Sequence, residues 1–158
     1  MPCDYKRIEE ALKLYGDSLM RVAFTYTQNM DDAQDMVQET FLRYLTKAPK
    51  FKSEEHEIAW LIRVTINICK NYIASAYRKN YAELDESITV SDSYNSDLDE
   101  AIKSLPHKYR IVIHLYYYEG YSQKEIGKIV NLTESAVATR LQRGRNLLKK
   151  KIGDDYFD

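Results

Sequence analysis

The most specific functional pattern in this chain lies near the C-terminus, at positions 122–152. Ser122 and Glu125 have the three-residue spacing of a capping box, and Thr133 can cap a second helix after a short turn. Gly127 has no side chain, so another helix can approach closely there. A short helix, a tight turn and a longer basic helix are typical of a helix-turn-helix, whose second helix enters the major groove of DNA.

The second helix of this pattern predicts two kinds of DNA contact. Its polar face can approach base edges, and the basic side chains beside that face can bind phosphates. The predicted DNA-binding residues here are Ser135, Ala138, Thr139, Arg140, Gln142, Arg143 and Arg145. The alternative is an ordinary helical hairpin with a solvated basic surface.

A second candidate face lies on a helix expected at residues 57–79. Opposite its apolar stripe stand an aromatic ring, cations and two asparagines, and no acidic residue occurs between Glu57 and Glu83. Such a face can stack a base, bond its edge and hold the backbone of an opened strand. Its members are Trp60, Arg63, Asn67, Lys70, Asn71 and Arg78. For Trp60 an alternative stays open, in which its ring folds back onto the core.

A third face is predicted on the helix at about residues 32–47. Asp35, Gln38, Glu39 and Leu42 recur there at helical spacing, opposite the expected buried stripe. A leucine within a polar row indicates a surface on which a partner helix docks. A merely solvated face is the commoner interpretation of such a row.

The sequence contains no pattern that predicts catalysis or metal binding. Cys3 and Cys69 are far apart, and the histidines at 56, 107 and 114 do not join them at metal-ligand spacing. No nucleophile, base and orienting residue form a known motif. We therefore expect no enzymatic activity, no cofactor, no metal and no small-molecule substrate.

The distribution of charge divides the chain into parts. The 158 residues have a net charge of −1, but residues 80–102 hold seven acidic and no basic side chains. Residues 103–151 hold eleven basic and three acidic ones. An acidic spacer before a basic module predicts two modules and a linker, with nucleic acid as a partner of the basic module. No apolar run is long enough to cross a membrane, so we expect a cytoplasmic protein that is not itself a membrane protein.

The three faces require helices on which to lie, and apolar residues indeed recur every three or four positions along most of the chain. The predicted helices are at about 5–27, 32–47, 57–79, 98–105, 106–119, 122–130 and 133–152. No segment of useful length alternates as a strand does. The predicted fold is all-α, with two small helical domains at 1–82 and 98–158, the latter ending in an acidic tail, and a flexible acidic linker at 83–97.

Three segments, in this order, resemble the sigma factors of bacterial RNA polymerase, in the small extracytoplasmic-function group. Residues 31–45, DDAQDMVQETFLRYL, resemble the family's helix that binds the polymerase core. Residues 59–73, AWLIRVTINICKNYI, resemble the family's helices that melt and read the minus-ten element. Region four, which reads the minus-thirty-five element, resembles residues 104–148, SLPHKYRIVIHLYYYEGYSQKEIGKIVNLTESAVATRLQRGRNLL.

The resemblance implies a role for each face. The row from Asp35 to Leu42 would dock on the RNA polymerase core, and the Trp60 face would contact the minus-ten region of promoter DNA. Thr139 and Arg143 would stand at contact positions for the minus-thirty-five element. The resemblance also implies an anti-sigma factor as a partner and a bacterial cytoplasm as the location.

Two other classes of function stay open at this point. One is a stand-alone helix-turn-helix regulator, which would dimerise and bind a palindrome tightly without polymerase. The other is a helical adaptor that does not bind DNA.

Overall fold

A computed structural model describes residues 5–79 and 97–153, and these residues form helices and connecting turns without a strand. The helices are α1 (Tyr5–Thr27), α2 (Met30–Lys47), α3 (Glu54–Lys79), α4 (Asp97–Lys103), α5 (His107–Ile113), α6 (Gln123–Val130) and α7 (Glu134–Ile152). A π-helical turn at His114–Tyr118 follows α5 directly. The predicted all-α class is confirmed. The predicted linker lies outside the described residues, except that Asp97 begins α4.

Side-chain caps set where α2 and α3 begin. Asn29 accepts a hydrogen bond from the Asp32 backbone N–H at 2.9 Å, so α2 begins at Met30. The Ser53 hydroxyl accepts one from the His56 backbone N–H at 3.0 Å, so α3 begins at Glu54, earlier than predicted. In both cases the helix begins directly after a residue whose side chain accepts from an N–H of the first turn, because the orphan N–H groups need partners.

The segment predicted as one helix at 106–119 is divided. At its end the Glu119 backbone N–H donates to the carbonyl oxygen of His114 at 3.1 Å, five residues back, and Gly120 then leaves the helix with a φ of 81°. A π-turn accommodates an extra residue and changes which way the following side chains point. Here it leaves Tyr117 and Tyr118 exposed.

The N-terminal core lies among α1, α2 and α3. Leu19, Tyr44 and Leu61 are fully buried there, and burying a leucine side chain stabilises the fold by about 1.5–3 kcal/mol. Two polar residues share this core: the Thr40 and Thr65 hydroxyls are 2.9 Å apart, and each also lies 2.9 Å from the carbonyl oxygen four residues earlier, so one can donate to its carbonyl while the other donates to it. Because both hydroxyls are satisfied, their burial is tolerated.

The C-terminal core gathers α4 to α7 around buried side chains from each helix. Its largest fully buried side chains are those of Leu105, Val112, Leu115, Ile126, Val137 and Leu141. The two halves lie against each other, with α1 packed on α5 and α3 on α6. Across the described parts of the chain, no helix is long and apolar enough to span a bilayer.

Candidate nucleic-acid interface

The helix-turn-helix begins with the predicted capping box. The Glu125 backbone N–H donates to the Ser122 hydroxyl at 3.1 Å, and the Ser122 backbone N–H donates to the Glu125 carboxylate at 2.9 Å. Thr133 caps α7 by accepting from the Ala136 backbone N–H at 3.0 Å. Both helices of the motif therefore have fixed starting points.

The turn between α6 and α7 is tight for two reasons. Asn131 ends α6 in the left-handed conformation, with a φ of 62°. Leu132 then donates its backbone N–H to the Gly127 carbonyl at 2.8 Å. A Cβ on Gly127 would lie 2.6 Å from the Leu132 carbonyl oxygen, so the close approach at this glycine is by the backbone of the turn and not, as predicted, by another helix.

One face of α7 is open to solvent and carries hydrogen-bonding side chains. Val137, Leu141, Gly144 and Leu148 are buried against the rest of the C-terminal half. Opposite them the exposed residues are Ser135, Thr139, Gln142, Arg143 and Asn146, and Ala138 is half-buried beside them. This α7 face presents a hydroxyl pair, two amides and one guanidinium to a groove.

Two of the predicted DNA-binding arginines on α7 do not lie on that open face. The Arg145 guanidinium donates to the Tyr117 hydroxyl at 3.2 Å and is half-buried beside the π-turn. Arg140 is also half-buried, on the side that faces the N-terminal half, where its charge acts on Tyr26 and His107. Neighbours from other elements provide partners on these sides of α7, which helical spacing alone does not predict.

The α3 residues predicted to contact the minus-ten element do not all lie on one exposed face. Asn67, Lys70 and Asn71 are exposed together along the helix. The Arg63 guanidinium instead donates to the Lys128 carbonyl of α6 at 3.2 Å, and Arg63 is half-buried. Arg78 lies in the last turn of α3, where only the backbone is described.

The Trp60 side chain does not share the exposed face that the sequence predicted for it. Its ring centroid lies 5.7 Å from that of Phe51 and 6.2 Å from that of Tyr44, in edge-on contacts. His56 packs edge-on against Phe51 at 5.2 Å, and the Arg7 guanidinium lies 5.6 Å from the Phe51 centroid. The folded-back alternative for Trp60 is what the structure has, because aromatic contacts stabilise the ring more than exposure to water.

A half-buried carboxylate, that of Glu57, supports this aromatic cluster. Glu57 accepts a short hydrogen bond from the Tyr44 hydroxyl and a second one from Tyr15 at 3.3 Å. Burial, together with the Glu57 charge, raises the pKa of Tyr15 to about 12. Both phenols therefore remain protonated donors, and they hold the first turn of α3 against α1 and α2.

The α2 row includes an exposed leucine, as predicted. Asp35 and Gln38 are exposed, and Leu42 keeps 57% of its surface accessible. Glu39 is half-buried and pairs with Arg43 at 3.4 Å. The row therefore presents one apolar and several polar side chains on one side of α2.

Beside this row lies an apolar groove that the sequence did not predict. It has a volume of about 610 Å³ and runs between α1 and α2, where Leu12, Met20, Phe41 and Leu42 line it. Leu12 is 44% exposed there. Helical periodicity places Leu12 among the apolar positions of α1, but it does not say whether another element covers that position.

At the junction between the two halves, cationic side chains from both halves lie close to the imidazole ring of His107. Burial lowers the pKa of His107, and the charges of Arg110, Lys70 and Arg140 lower it further. Lys70 belongs to α3 and Arg140 to α7, so candidate DNA-binding groups of the two halves lie near each other.

Comparison with protein families gives two matches. The family model for sigma-70 region 2 matches residues 12–79, and the one for sigma-70 region 4 matches residues 96–148. The first match covers α2, α3 and α1 from Leu12 onward, and the second covers α4 to α6 and most of α7.

Individual sigma factors are similar to this chain over most of its length. The extracytoplasmic-function RNA polymerase sigma factor SigW of Bacillus subtilis is 27% identical over 96% of this chain and 91% of its own length. Sigma factor SigV of the same organism is 29% identical over 84% of this chain and 82% of its own. The sigma factor RpoE of Bartonella quintana, solved with the anti-sigma factor NepR, shares the fold with a TM-score of 0.79, at 23% identity over 95% of this chain and 99% of that one.

Proposed function

The chain belongs to the sigma-70 family of RNA polymerase sigma factors, in its extracytoplasmic-function group, and from this premise we propose which of its faces perform each task. It binds the RNA polymerase core and directs promoter-specific initiation at minus-ten and minus-thirty-five elements. Members of the family are initiation factors, so the polymerase core makes the RNA.

The α7 face reads the minus-thirty-five element. The observation that carries this assignment is the capped helix-turn-helix in the region-four match, with Thr139, Gln142 and Arg143 exposed one turn apart. Amide and guanidinium groups at that spacing can make paired hydrogen bonds to adenine or guanine edges in the major groove. Exposed Lys150 and Lys151 at the end of α7 are placed to meet phosphates.

The exposed part of α3 reads the minus-ten element. Asn67 and Asn71 are one turn apart with Lys70 beside them, so they can bond base edges while the lysine meets the backbone. Trp60 contributes by fixing the start of α3 through the aromatic cluster. It meets DNA only if its ring leaves Phe51 and Tyr44.

The α2 row and the adjoining groove bind core polymerase. Leu42 lines the groove and also stands in the row with Gln38, so polar and apolar contacts are available to one partner helix. Fixing both halves on core makes the second DNA contact effectively intramolecular, so two weak contacts combine into tight promoter binding.

Regulation by an anti-sigma factor and action in the bacterial cytoplasm complete the proposal. A sigma factor with the same fold was solved with an anti-sigma factor bound, and that supports a partner of this kind here. Among the described residues, the groove on α1 and α2 and a second apolar groove beside the π-turn, lined by Leu98, Ile113 and Tyr118, are surfaces that such a partner can cover.

Run-off transcription with purified core polymerase on a genomic promoter pool tests this function. We expect a discrete set of transcripts that needs both core and this chain. The Thr139→Ala/Arg143→Ala variant should lose those transcripts, whereas Glu9→Gln, a change at an exposed α1 site, should keep them. Tight binding to a palindrome by a dimer of the chain, without polymerase, would overturn the proposal in favour of a stand-alone regulator.

A further inference from the structure

A small pocket is lined by residues of α1, α4, α5 and the π-turn. Its volume is about 160 Å³, close to that of a cavity that encloses one benzene ring. Phe24 of α1, Ile102 of α4 and Ile113 of α5 provide apolar walls. None of the predicted DNA-binding or core-binding residues lines this pocket, so it is separate from the faces assigned above.

Two stacked rings also line the pocket. His114 and Tyr118 lie four residues apart in the π-turn, and their ring centroids are 5.4 Å apart with an angle of 19° between the planes. Tyr118 keeps 64% of its surface accessible, so this pair is open to a ligand. A flat ring can stack on such a pair or contact it edge-on. The lining therefore favours an aromatic ligand over an aliphatic one.

The guanidinium of Arg110 lines the same pocket, and backbone carbonyls hold it in place. Its Nε donates to the Thr25 carbonyl of α1 at 2.6 Å, and one terminal nitrogen donates to the carbonyls of Leu105 and Lys103. Its other terminal nitrogen has no acceptor among the described residues. Solvent reaches that nitrogen, because His107 Nδ1 is the one fully buried side-chain nitrogen without a partner in the described ranges. Arg110 therefore offers a donor whose orientation is already fixed.

The charge of Arg110 calls for an anion. Within residues 5–79 and 97–153 it bonds carbonyl oxygens and no carboxylate. Burial lowers the pKa of Arg110 to about 10, and the phenol of Tyr26 is the one group that acts to raise it. Asp99 and Lys103 also line the pocket, but they are exposed and have opposite charges. A ligand carboxylate would make a charge-assisted hydrogen bond to the guanidinium, which is stronger than a bond between neutral groups.

We propose that this pocket binds a small aromatic carboxylate. Its ring packs on Phe24 and on the stacked rings of His114 and Tyr118, and its carboxylate accepts from the open terminal nitrogen of Arg110. Because residues of both halves line the pocket, the bound acid stabilises the folded chain by mass action. The site does not depend on the proposed function, since no residue to which that function assigns a contact lines it.

Titration of the full chain with benzoate, followed through its backbone amide resonances by NMR, tests the site. We expect saturable shifts at Phe24, Ile102 and Ile113 and little change at Gly127 on α6. Benzamide keeps the ring but has no charge, so it should bind about tenfold more weakly. Acetate, which has no ring, should also bind more weakly than benzoate. No saturable shift at millimolar benzoate, or equal affinity for benzoate and benzamide, would overturn the proposal.

Substitutions in two parts of the lining locate the ligand. Tyr118→Ala, which removes a ring, and Arg110→Gln, which removes the cation, should each weaken benzoate binding about fivefold. Tyr117→Ala and Lys108→Gln are the matched controls, because both are exposed neighbours that do not line the pocket, and they should bind as the parent does. Arg110→Gln also loses its bonds to carbonyls, so circular dichroism checks its fold. Tyr118→Ala decides the matter alone if that variant does not fold, and parental affinity in Tyr118→Ala would overturn the proposal.

Thermal unfolding with and without benzoate gives a second measurement. Because the acid binds the folded chain, it should raise the melting temperature of the parent and of Lys108→Gln more than that of Tyr118→Ala. Sodium chloride at the same ionic strength controls for screening. A rise that is equal in all three proteins, or that sodium chloride reproduces, would mean non-specific binding and would overturn the site.

Discussion

At the scale of single residues, Arg143 decides how α7 reads DNA. Its guanidinium is exposed one turn from Thr139, so it can reach a guanine edge or a phosphate. We expect Arg143→Ala to weaken minus-thirty-five binding by about 1–3 kcal/mol and to relax the preference at one base pair. Holoenzyme binding to a randomised minus-thirty-five library measures both effects.

The control for Arg143 is Arg145, which has the same charge but bonds Tyr117. Arg145→Ala should leave base preference unchanged, and only the screened charge effect should remain. A uniform loss across sequences for Arg143→Ala, with the salt slope falling by about one, would mean that it only touches phosphate.

Asn67 and Asn71 are expected to act in opening the promoter, after the initial binding to duplex DNA. Because both amides are exposed on α3, Asn67→Ala and Asn71→Ala should each reduce open-complex formation more than duplex binding, by about 1–3 kcal/mol. Permanganate footprinting of the bubble measures opening. Ser75→Ala, also exposed on α3, is the control, and equal opening by parent and asparagine variants would contradict the assignment.

At the scale of elements, Gly127 holds the helix-turn-helix together. An alanine Cβ there would meet the Leu132 carbonyl oxygen at 2.6 Å, so the turn must shift, and we expect a loss of about 1–3 kcal/mol in the free energy of unfolding. At Gly16, inside α1, a Cβ meets nothing within 4 Å. Gly16→Ala should therefore raise stability by up to about 1 kcal/mol. Thermal unfolding followed by circular dichroism compares the two, and equal melting temperatures would mean that the turn is looser than described.

The α2 surface gives a prediction about core binding. Gln38→Ala/Leu42→Arg should weaken binding to purified core, because it places a charge in the apolar groove and removes an exposed amide. Helicity should not change, since both side chains point away from the buried stripe. Leu14→Arg is the matched control, because Leu14 is 63% exposed and does not line the groove. Pull-down with core measures the effect, and equal loss in both variants would assign the effect to charge alone.

At the scale of the whole molecule, the ion pair between Arg21 of α1 and Glu119 at the end of the π-turn, at 3.1 Å, should make the free energy of unfolding depend on pH. Although burial raises the pKa of Glu119, hydrogen bonds and charge from His114 and Arg21 lower it to about 2, from 4.5 in the unfolded chain. Between these values the unfolded chain binds more protons, so stability rises with pH through that window and falls as the solution is acidified toward 2. Tyr121 also faces this carboxylate.

The Glu119→Gln variant isolates this effect from the other carboxylates. Above pH 4.5 the parent should be more stable than the variant by no more than about 3 kcal/mol, and by less after screening, since Arg21 is half-exposed. The difference should shrink as the pH falls toward 2. Urea unfolding at a series of pH values measures it, and a difference that does not change with pH would contradict the assigned pKa.

Local features of the chain followed from the sequence alone. The all-α class, the capping box at Ser122 and the Thr133 cap were predicted correctly, because caps and helical periodicity depend on residues three or four apart. The exposure of Asn67 and Arg143 followed from the same periodicity.

Only the tertiary structure decided which side chains of these helices contact other elements and which meet solvent. The Arg63 bond to Lys128 joins residues 65 positions apart, and the Ser18 bond to Glu119 joins residues 101 apart. Helical spacing assigns a face to a side chain, but the element packed against that face decides whether it meets solvent, an aromatic ring or a backbone carbonyl. Trp60 and Arg145 differ from their predicted surroundings for this reason, because partners distant in sequence compete with water for the same groups.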